Sequence, residues 1–275
     1  MPPMRVLHVW NVSGVSSVIA KWMDRTCGTE SEVIMRKAFD KFNFTSTYGK
    51  TWNVGAQTFV FRALVEARNY DVIHVHSLDK IVPYLKRLYP RKPVVLHYHG
   101  VGQTELWSKS ESRWKKADAI LIFGADQLAN APSRVQVSET PVDTDIFHPM
   151  AEKPVPGTAL HIEFGEDELA NKLANDYDLK LTIHDSKKNP IEHSKFPSFL
   201  GRFEYYIDVK NDWYNRGVRL NDLSKTALEA LAVGSKVIKP DRLITELPVE
   251  NRPEVVVKKL YGLYRGLLEK RDGSP

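Results

Sequence analysis

Four histidines fall in pairs two residues apart, His74 and His76 in the run DVIHVH and His97 and His99 in PVVLHYH. Residues two apart on a strand share a face, so each pair sets two imidazoles side by side. Four imidazoles near strand ends invite metal ligation. The competing reading is a set of buried, hydrogen-bonded structural histidines, and it is preferred: no acidic ligand follows at helical spacing, and the pairs sit on separate apolar strands. A second stretch, NDLSKTALEALAVGSKVI (Asn221 to Ile238), reads as polar loop, short helix, glycine stop and apolar strand. The first turn of such a helix exposes N–H groups and the positive end of its dipole, which suits a diphosphate. Ser224 or Thr226 can cap or donate there, and Lys225 can add a charge-assisted contact. The plain alternative is a capped surface helix with Glu229 exposed. A third stretch, NVSGVSS, offers one glycine, Gly14, where backbone could approach a ligand closely. It lacks the three glycines of a dinucleotide fingerprint, which argues against a dehydrogenase.

These residues need elements that bring them to strand ends. RVLHVW (5–10) is a short apolar run that turns through NVSG into the amphipathic VSSVIAKWMDR. The pattern repeats: DVIHVH leads into LDKIVPYLKRLY, PVVLHYH follows, and ADAILIFG precedes ADQLANA. Apolar strands alternating with helices predict a parallel sheet covered on both faces. At FHPMAEKPVPGTA (147–159) three prolines and a glycine interrupt both periodicities, and a domain boundary is expected there, giving domains 1–150 and 151–275. Beyond it, LHIEF, EDELANKLANDY, LKLTIHD, YYIDVK, the helix near Ser224, KVI and a last helix from about 253 to 270 predict a second, smaller α/β sheet. Ligands of open parallel sheets bind outside the carboxyl ends of the strands, and two such sheets facing each other would enclose a cleft.

The bulk properties set the class. With 275 residues, 42% hydrophobic and 27% charged, the chain is of ordinary globular polarity and long enough for two domains. Lys plus Arg number 39 against 34 Asp plus Glu, but no long basic run would track a nucleic-acid backbone, so no nucleic-acid partner is expected. Phosphate-bearing small molecules or an anionic membrane surface suit this surplus at least as well. A single cysteine, Cys27, excludes an internal disulfide and a cysteine-based zinc site. No signal-like start and no run of 18 apolar residues is present, so the setting expected is a reducing cytoplasm.

Several ordered strings carry a resemblance. VLHVWNVSGVSSVIAKW, DVIHVHS, VVLHYHG, PVDTDIFHP (141–149) and LEALAVGSKVI resemble the corresponding segments of the retaining GT-B glycosyltransferases, the group 1 or family 4-like enzymes. The last two strings are the specific ones. The similarity covers most of the first 150 residues and again about 205–240. It implies two Rossmann-like domains with parallel sheets facing across a cleft, the second shortened, with the terminal helix crossing back to the first.

The activity implied is hexosyl transfer from a UDP- or GDP-sugar to a glycan, lipid or protein acceptor, with retention, no cofactor and no obligatory metal. The donor site would comprise Ser13, Gly14 and Val15 in the first loop, with Lys210, Asp222, Leu223, Ser224, Lys225, Thr226 and Glu229 in the second domain. Glu229 takes the place of the family's ribose-binding glutamate, and His99 that of the histidine that holds the donor sugar. Asn221 stands where the family has a second glutamate, with Asp222 adjacent; it can hydrogen-bond a sugar but supplies no negative charge. The family's diphosphate-neutralising Arg and Lys are replaced by Glu166 and Asp167, so Lys210, Arg202 or Lys225 would substitute from another loop, or transfer would be weak. A nucleotide-sugar-binding accessory protein without transfer is therefore the alternative function, and a phosphate-binding Rossmann enzyme of another chemistry, such as an epimerase or dehydrogenase, which would need a richer glycine loop, a third. The last helix carries Val256, Leu260, Leu263, Tyr264 and Leu267 on one stripe; it packs on the chain itself or, as a basic amphipathic helix, rests on lipid as a peripheral membrane contact. Residues 37–57, aromatic and aperiodic, are either an acceptor contact or a plain surface loop.

Overall fold

The structure, a computed structural model of the chain, describes residues 2–99, 106–123, 128, 131–163, 167–209 and 222–272. It divides into two compact units, Met1–Pro141 together with Pro253–Pro275, and Val142–Arg252. The chain thus passes from one unit to the other at Pro141/Val142, ahead of the proline-rich stretch where the sequence places a boundary.

In the first unit, β1 (Arg5–Val9), β2 (Glu30–Arg36), β3 (Lys50–Trp52), β4 (Val72–His76), β5 (Val94–Tyr98), β6 (Ala119–Ile122) and β7 (Val135–Val137) form a seven-stranded sheet in the order β3-β2-β1-β4-β5-β6-β7. Neighbouring strands in it pair in parallel. The inner strands are apolar throughout because helices cover both faces. One face buries Leu7, Val9, Ile73, Val75, Leu96 and Ile120 against Phe59 and Ala63 of α2 (Ala56–Glu66) and Leu85 of α3 (Val82–Leu88). The other buries Val6, Val72, Val95 and Leu121 against Val18, Ile19 and Trp22 of α1 (Val15–Cys27). Short helical pieces α4 (Leu106–Lys109) and α5 (Glu111–Trp114) follow β5.

Strands β2, β3 and β7 and helix α2 are not foreshadowed by the periodicity. β2 is apolar only at Val33, Ile34 and Met35, with its start turned to solvent, and α2 exposes Phe61 and Val65, which blurs its stripe. Residues 37–57 fold as two short 3-10 turns, Lys37–Phe39 and Phe44–Ser46, and the edge strand β3.

The second unit has β8 (Val155–Ile162), β9 (Lys180–His184), β10 (Phe203–Ile207), β11 (Lys236–Lys239) and β12 (Arg242–Ile244) in the order β12-β11-β10-β8-β9. All pairs are parallel except the β11–β12 hairpin. β8 begins inside the proline-rich stretch, since Val155 and Pro156 extend it at an exposed end where a missing donor costs little. Helices α6 (Glu168–Asp176), α7 (Phe196–Leu200) and α8 (Lys225–Ala232) cover this sheet. The last helix, α9 (Pro253–Asp272), is counted with the first unit, where Val256, Val257, Leu260 and Tyr264 complete the core beside α1. Among the described residues no helix is long and apolar enough to cross a membrane.

Candidate functional site

In the first unit the strand order runs one way from β1 and the other way from β4, so the carboxyl ends of these two neighbours mark the switch point where open sheets take ligands. The backbone there is held in sparsely populated conformations. Trp10 and Ser13 after β1 have φ of 78° and 50°, and Ser77 after β4 has 56°, whereas Gly14 at 79° adopts this region freely. Such strain persists only where the surroundings over-determine it. Here Asn11, 3% exposed, donates through Nδ2 to Ser17 Oγ (2.9 Å) and Thr45 Oγ1 (3.1 Å). Ser16 Oγ donates to the Trp10 carbonyl (2.8 Å), and Ser17 Oγ to that of Tyr48 (2.6 Å). Gly14 is the N-cap of α1 and makes no side-chain cap. Of the predicted loop residues, Ser13 is exposed, Gly14 is packed against the Phe44 ring, and Val15 is a core residue.

Five imidazoles lie on the α1-covered face of this sheet, because His8 pairs in register with His74, and His76 with His97. His8 is the one the paired-histidine pattern leaves out; it stands alone in RVLHVW, but the same two-residue period puts it on the face of Val6. His8 Nδ1 lies 3.1 Å from His76 Nε2, His76 Nδ1 lies 2.8 Å from His99 Nε2, and His74 Nδ1 lies 2.5 Å from the Tyr264 hydroxyl. Burial lowers all five pKa values, to about 4 for His8 and about 3 for His99, and well below the usual range for His74, His76 and His97. At neutral pH the rings are therefore uncharged. His99, at the end of β5, is half-buried and its backbone N–H donates to Ser77 Oγ (3.0 Å).

In the second unit, α8 starts where the sequence puts it. Ser224 is its N-cap, with Oγ accepting from the Ala227 N–H at 3.2 Å. The Ser224 N–H donates to Asp208 Oδ2 (3.0 Å), which fixes the helix start at the carboxyl end of β10. Asp208 is buried, and its charge is offset by Lys239, whose Nζ lies 3.6 Å from Oδ2 and donates to the Asp222 carbonyl (2.9 Å). Tyr206, also buried, hydrogen-bonds the side chains of Ser224 and Thr226. Leu223 packs on the apolar core beneath α8.

Lys225 and Glu229 form an ion pair one turn apart, and Glu229 is 3% exposed. The ammonium lies 5.8 Å from the centre of the Phe147 ring, and burial pushes its pKa down to about 7 against the opposing pull of Asp143. His193, its ring tilted against that of Phe147, has its pKa lowered to about 4 by burial and by Lys225. Thus two distant strings, PVDTDIFHP and LSKTALEALA, meet inside one unit. Lys225 lies against its own protein, and Glu229 has one carboxylate oxygen committed to it. Asp167 turns toward His161, Oδ1 to Nε2 3.3 Å, while His161 Nδ1 donates to the Ile207 carbonyl (2.9 Å). Lys210, Asn221 and Glu166 lie outside the described residues.

No protein-family model matches the chain, and no curated protein matches it. Solved structures do. A protein of Listeria monocytogenes named as a UDP-N-acetylglucosamine 2-epimerase aligns over 100% of this chain and 92% of its own, at 12% identity and a TM-score of 0.50. The UDP-N-acetylglucosamine 2-epimerase of Rickettsia bellii aligns over 98% of both chains at 9% identity and the same TM-score, 0.50. The S. aureus MnaA–UDP structure covers 98% of this chain and 91% of its own at 12% identity and a TM-score of 0.45. At such identities the likeness speaks for fold alone. The chain is a mixed α/β protein of the GT-B class, with a seven-stranded parallel sheet and a second, smaller sheet.

Proposed function

We propose that the second unit binds a nucleoside-diphosphate sugar, UDP- or GDP-linked, at the start of α8, and that the chain transfers the sugar to an acceptor with retention and without an obligatory metal. The observation that carries this reading is the placement of the Ser224-capped helix start at the carboxyl end of β10, pinned by Asp208. A helix start at that edge offers backbone N–H groups and a positive dipole end to a pyrophosphate. Pairing of Asp208 with Lys239 limits the repulsion a nearby carboxylate would exert on it. The ribose would meet the carboxylate oxygen of Glu229 that Lys225 does not hold. The resemblance also assigns Ser13, Gly14, Val15 and His99 of the first unit, and Lys210, Asn221, Asp222 and Leu223 of the second, to the donor; each unit's set is tested by its own variants. The diphosphate would leave stabilised by the α8 dipole.

A second reading shares the donor and differs in the reaction. The two structures at a TM-score of 0.50 are both named as UDP-N-acetylglucosamine 2-epimerases, which favours chemistry on the sugar of a UDP-sugar itself. Incubation with UDP-, GDP- and ADP-sugars, followed by NMR of the sugar and assay of released nucleotide, separates the readings. Released nucleotide diphosphate supports transfer or donor hydrolysis, and a new epimer with the nucleotide still attached supports the second reading. Binding without either product selects the accessory-protein alternative, and no binding to any donor removes all three. Glu229→Gln is expected to weaken nucleotide binding by about 1–3 kcal/mol in calorimetric titration; an unaltered Kd would remove the ribose from Glu229.

A further inference from the structure

We infer that His8, His74 and His76 form a buried binding site for a divalent transition-metal ion of the zinc class, enclosed between the first-unit sheet and α9. One ring nitrogen from each of the three lies within 4.8 Å of the others, and all three side chains are fully buried. Nitrogens bound at about 2.0–2.1 Å to a tetrahedral zinc stand roughly 3.3 Å apart, and His8 Nδ1 and His76 Nε2 are already at 3.1 Å.

The outer contacts are those a metal-ligating imidazole needs. His74 uses Nδ1 for the Tyr264 hydroxyl (2.5 Å), and His76 uses Nδ1 for His99 Nε2 (2.8 Å). These contacts engage Nδ1 of each ring and leave Nε2 for a ligand, and such outer partners set tautomer and basicity. Among the described residues His74 Nε2 has no hydrogen-bond partner, nor have His8 Nε2 and both nitrogens of the adjacent His97. A hydrogen-bonded chain of neutral histidines accounts for His8 Nδ1, His76 and His99 but leaves His74 Nε2 unsatisfied, at a cost of about 1–3 kcal/mol that a bound cation would remove. A cation accepts lone pairs from neutral ring nitrogens, and one held by His8, His74 and His76 would engage a nitrogen of each. His97, with its ring centre 5.4 Å from that of His74, stands beside the set as a candidate for a fourth position. Three nitrogen ligands and no carboxylate suit zinc, cobalt, nickel or copper rather than magnesium or calcium. Its three ligands belong to the first-unit sheet, one hydrogen bond away from His99, and the proposal requires no metal in the transfer step.

The test uses the full chain without an affinity tag, stripped by chelator and titrated with Zn2+ against a chromophoric competitor, with Co2+ absorption as a second readout. One equivalent of zinc and tetrahedral-type visible bands for cobalt are expected. His74→Gln should lower zinc affinity at least 100-fold. Tyr264→Phe, which keeps the core volume and removes only the outer contact, should lower it roughly 10- to 100-fold. Should His74→Gln fail to fold, the Tyr264→Phe comparison decides alone. Sub-stoichiometric binding to the wild-type chain, or zinc affinity unaltered in the folded variants, would overturn the proposal.

Discussion

At the scale of single residues, the buried Lys225 and the left-handed Gly14 have the most to say. Lys225 has its pKa lowered from 10.5 to about 7, chiefly by burial. The unfolded chain therefore binds more protons than the folded one between those values, so stability attributable to this group rises as pH climbs from about 7 toward 10.5. Below about 7 both states are protonated and the burial penalty is fully present. Urea denaturation across that range should show a gain of at most about 1.4 kcal/mol per pH unit, and Lys225→Met should flatten it. Because Glu229 is 3% exposed and shares that pair, the donor titration proposed for Glu229→Gln needs a stability control alongside. At Gly14 a β-carbon would lie 3.0 Å from Phe44 Cδ1 with φ at 79°. Gly14→Ala is expected to cost about 1–2 kcal/mol from the left-handed backbone alone, read as a shift in the denaturation midpoint at unchanged slope.

At the scale of elements, α9 is the piece whose role depends most on its surroundings. Its stripe is equally a core face or a lipid-facing one when read from residues alone. In the structure Val256, Val257, Leu260 and Tyr264 are each 3% exposed or less, packed beside Val18, Ile19 and Trp22 of α1. Lys259 reaches Glu139 at 3.1 Å on the polar side of the helix. Leu260→Ala should thus behave as a core truncation, costing about 2–5 kcal/mol, whereas a lipid-facing leucine would leave stability in solution near wild type. Flotation with anionic vesicles gives the complementary reading, and α9 is expected to contribute little binding while its apolar stripe stays covered.

At the scale of the whole molecule, the division of the chain makes the two units unequal as folding units. Val142–Arg252 is continuous in sequence, but the other unit joins residues up to Pro141 with Pro253–Pro275. Burying an aliphatic or aromatic side chain contributes about 1.5–3 kcal/mol, and a domain is stable by only about 5–15 kcal/mol. Four such side chains from α9 are therefore of the order of the first unit's whole stability. A fragment of residues 142–252 should show cooperative thermal unfolding by circular dichroism. A fragment of residues 1–141 should not, until a peptide of residues 253–275 is supplied. Cooperative unfolding of residues 1–141 alone would contradict the role given to α9.

The sequence by itself determined the alternation of apolar strands and helices, hence parallel sheets, and the two-residue period that puts each histidine pair on one face of its own strand. It also put a helix start near Ser224, with Ser224 and Thr226 both open as the cap; the structure caps it with Ser224. These features have periods of two or about four residues, so a short window contains them. Only the tertiary structure decided what depends on neighbours distant in the chain. His8 joins the histidine face because β1 lies beside β4. Lys225 turns inward because Asp143, Phe147 and Glu229 surround it, and α9 becomes core because the first unit has an uncovered strip beside α1. Strands β2, β3 and β7 are short and solvent-facing at their ends, and it is pairing with a neighbour, not their own pattern, that makes them strands.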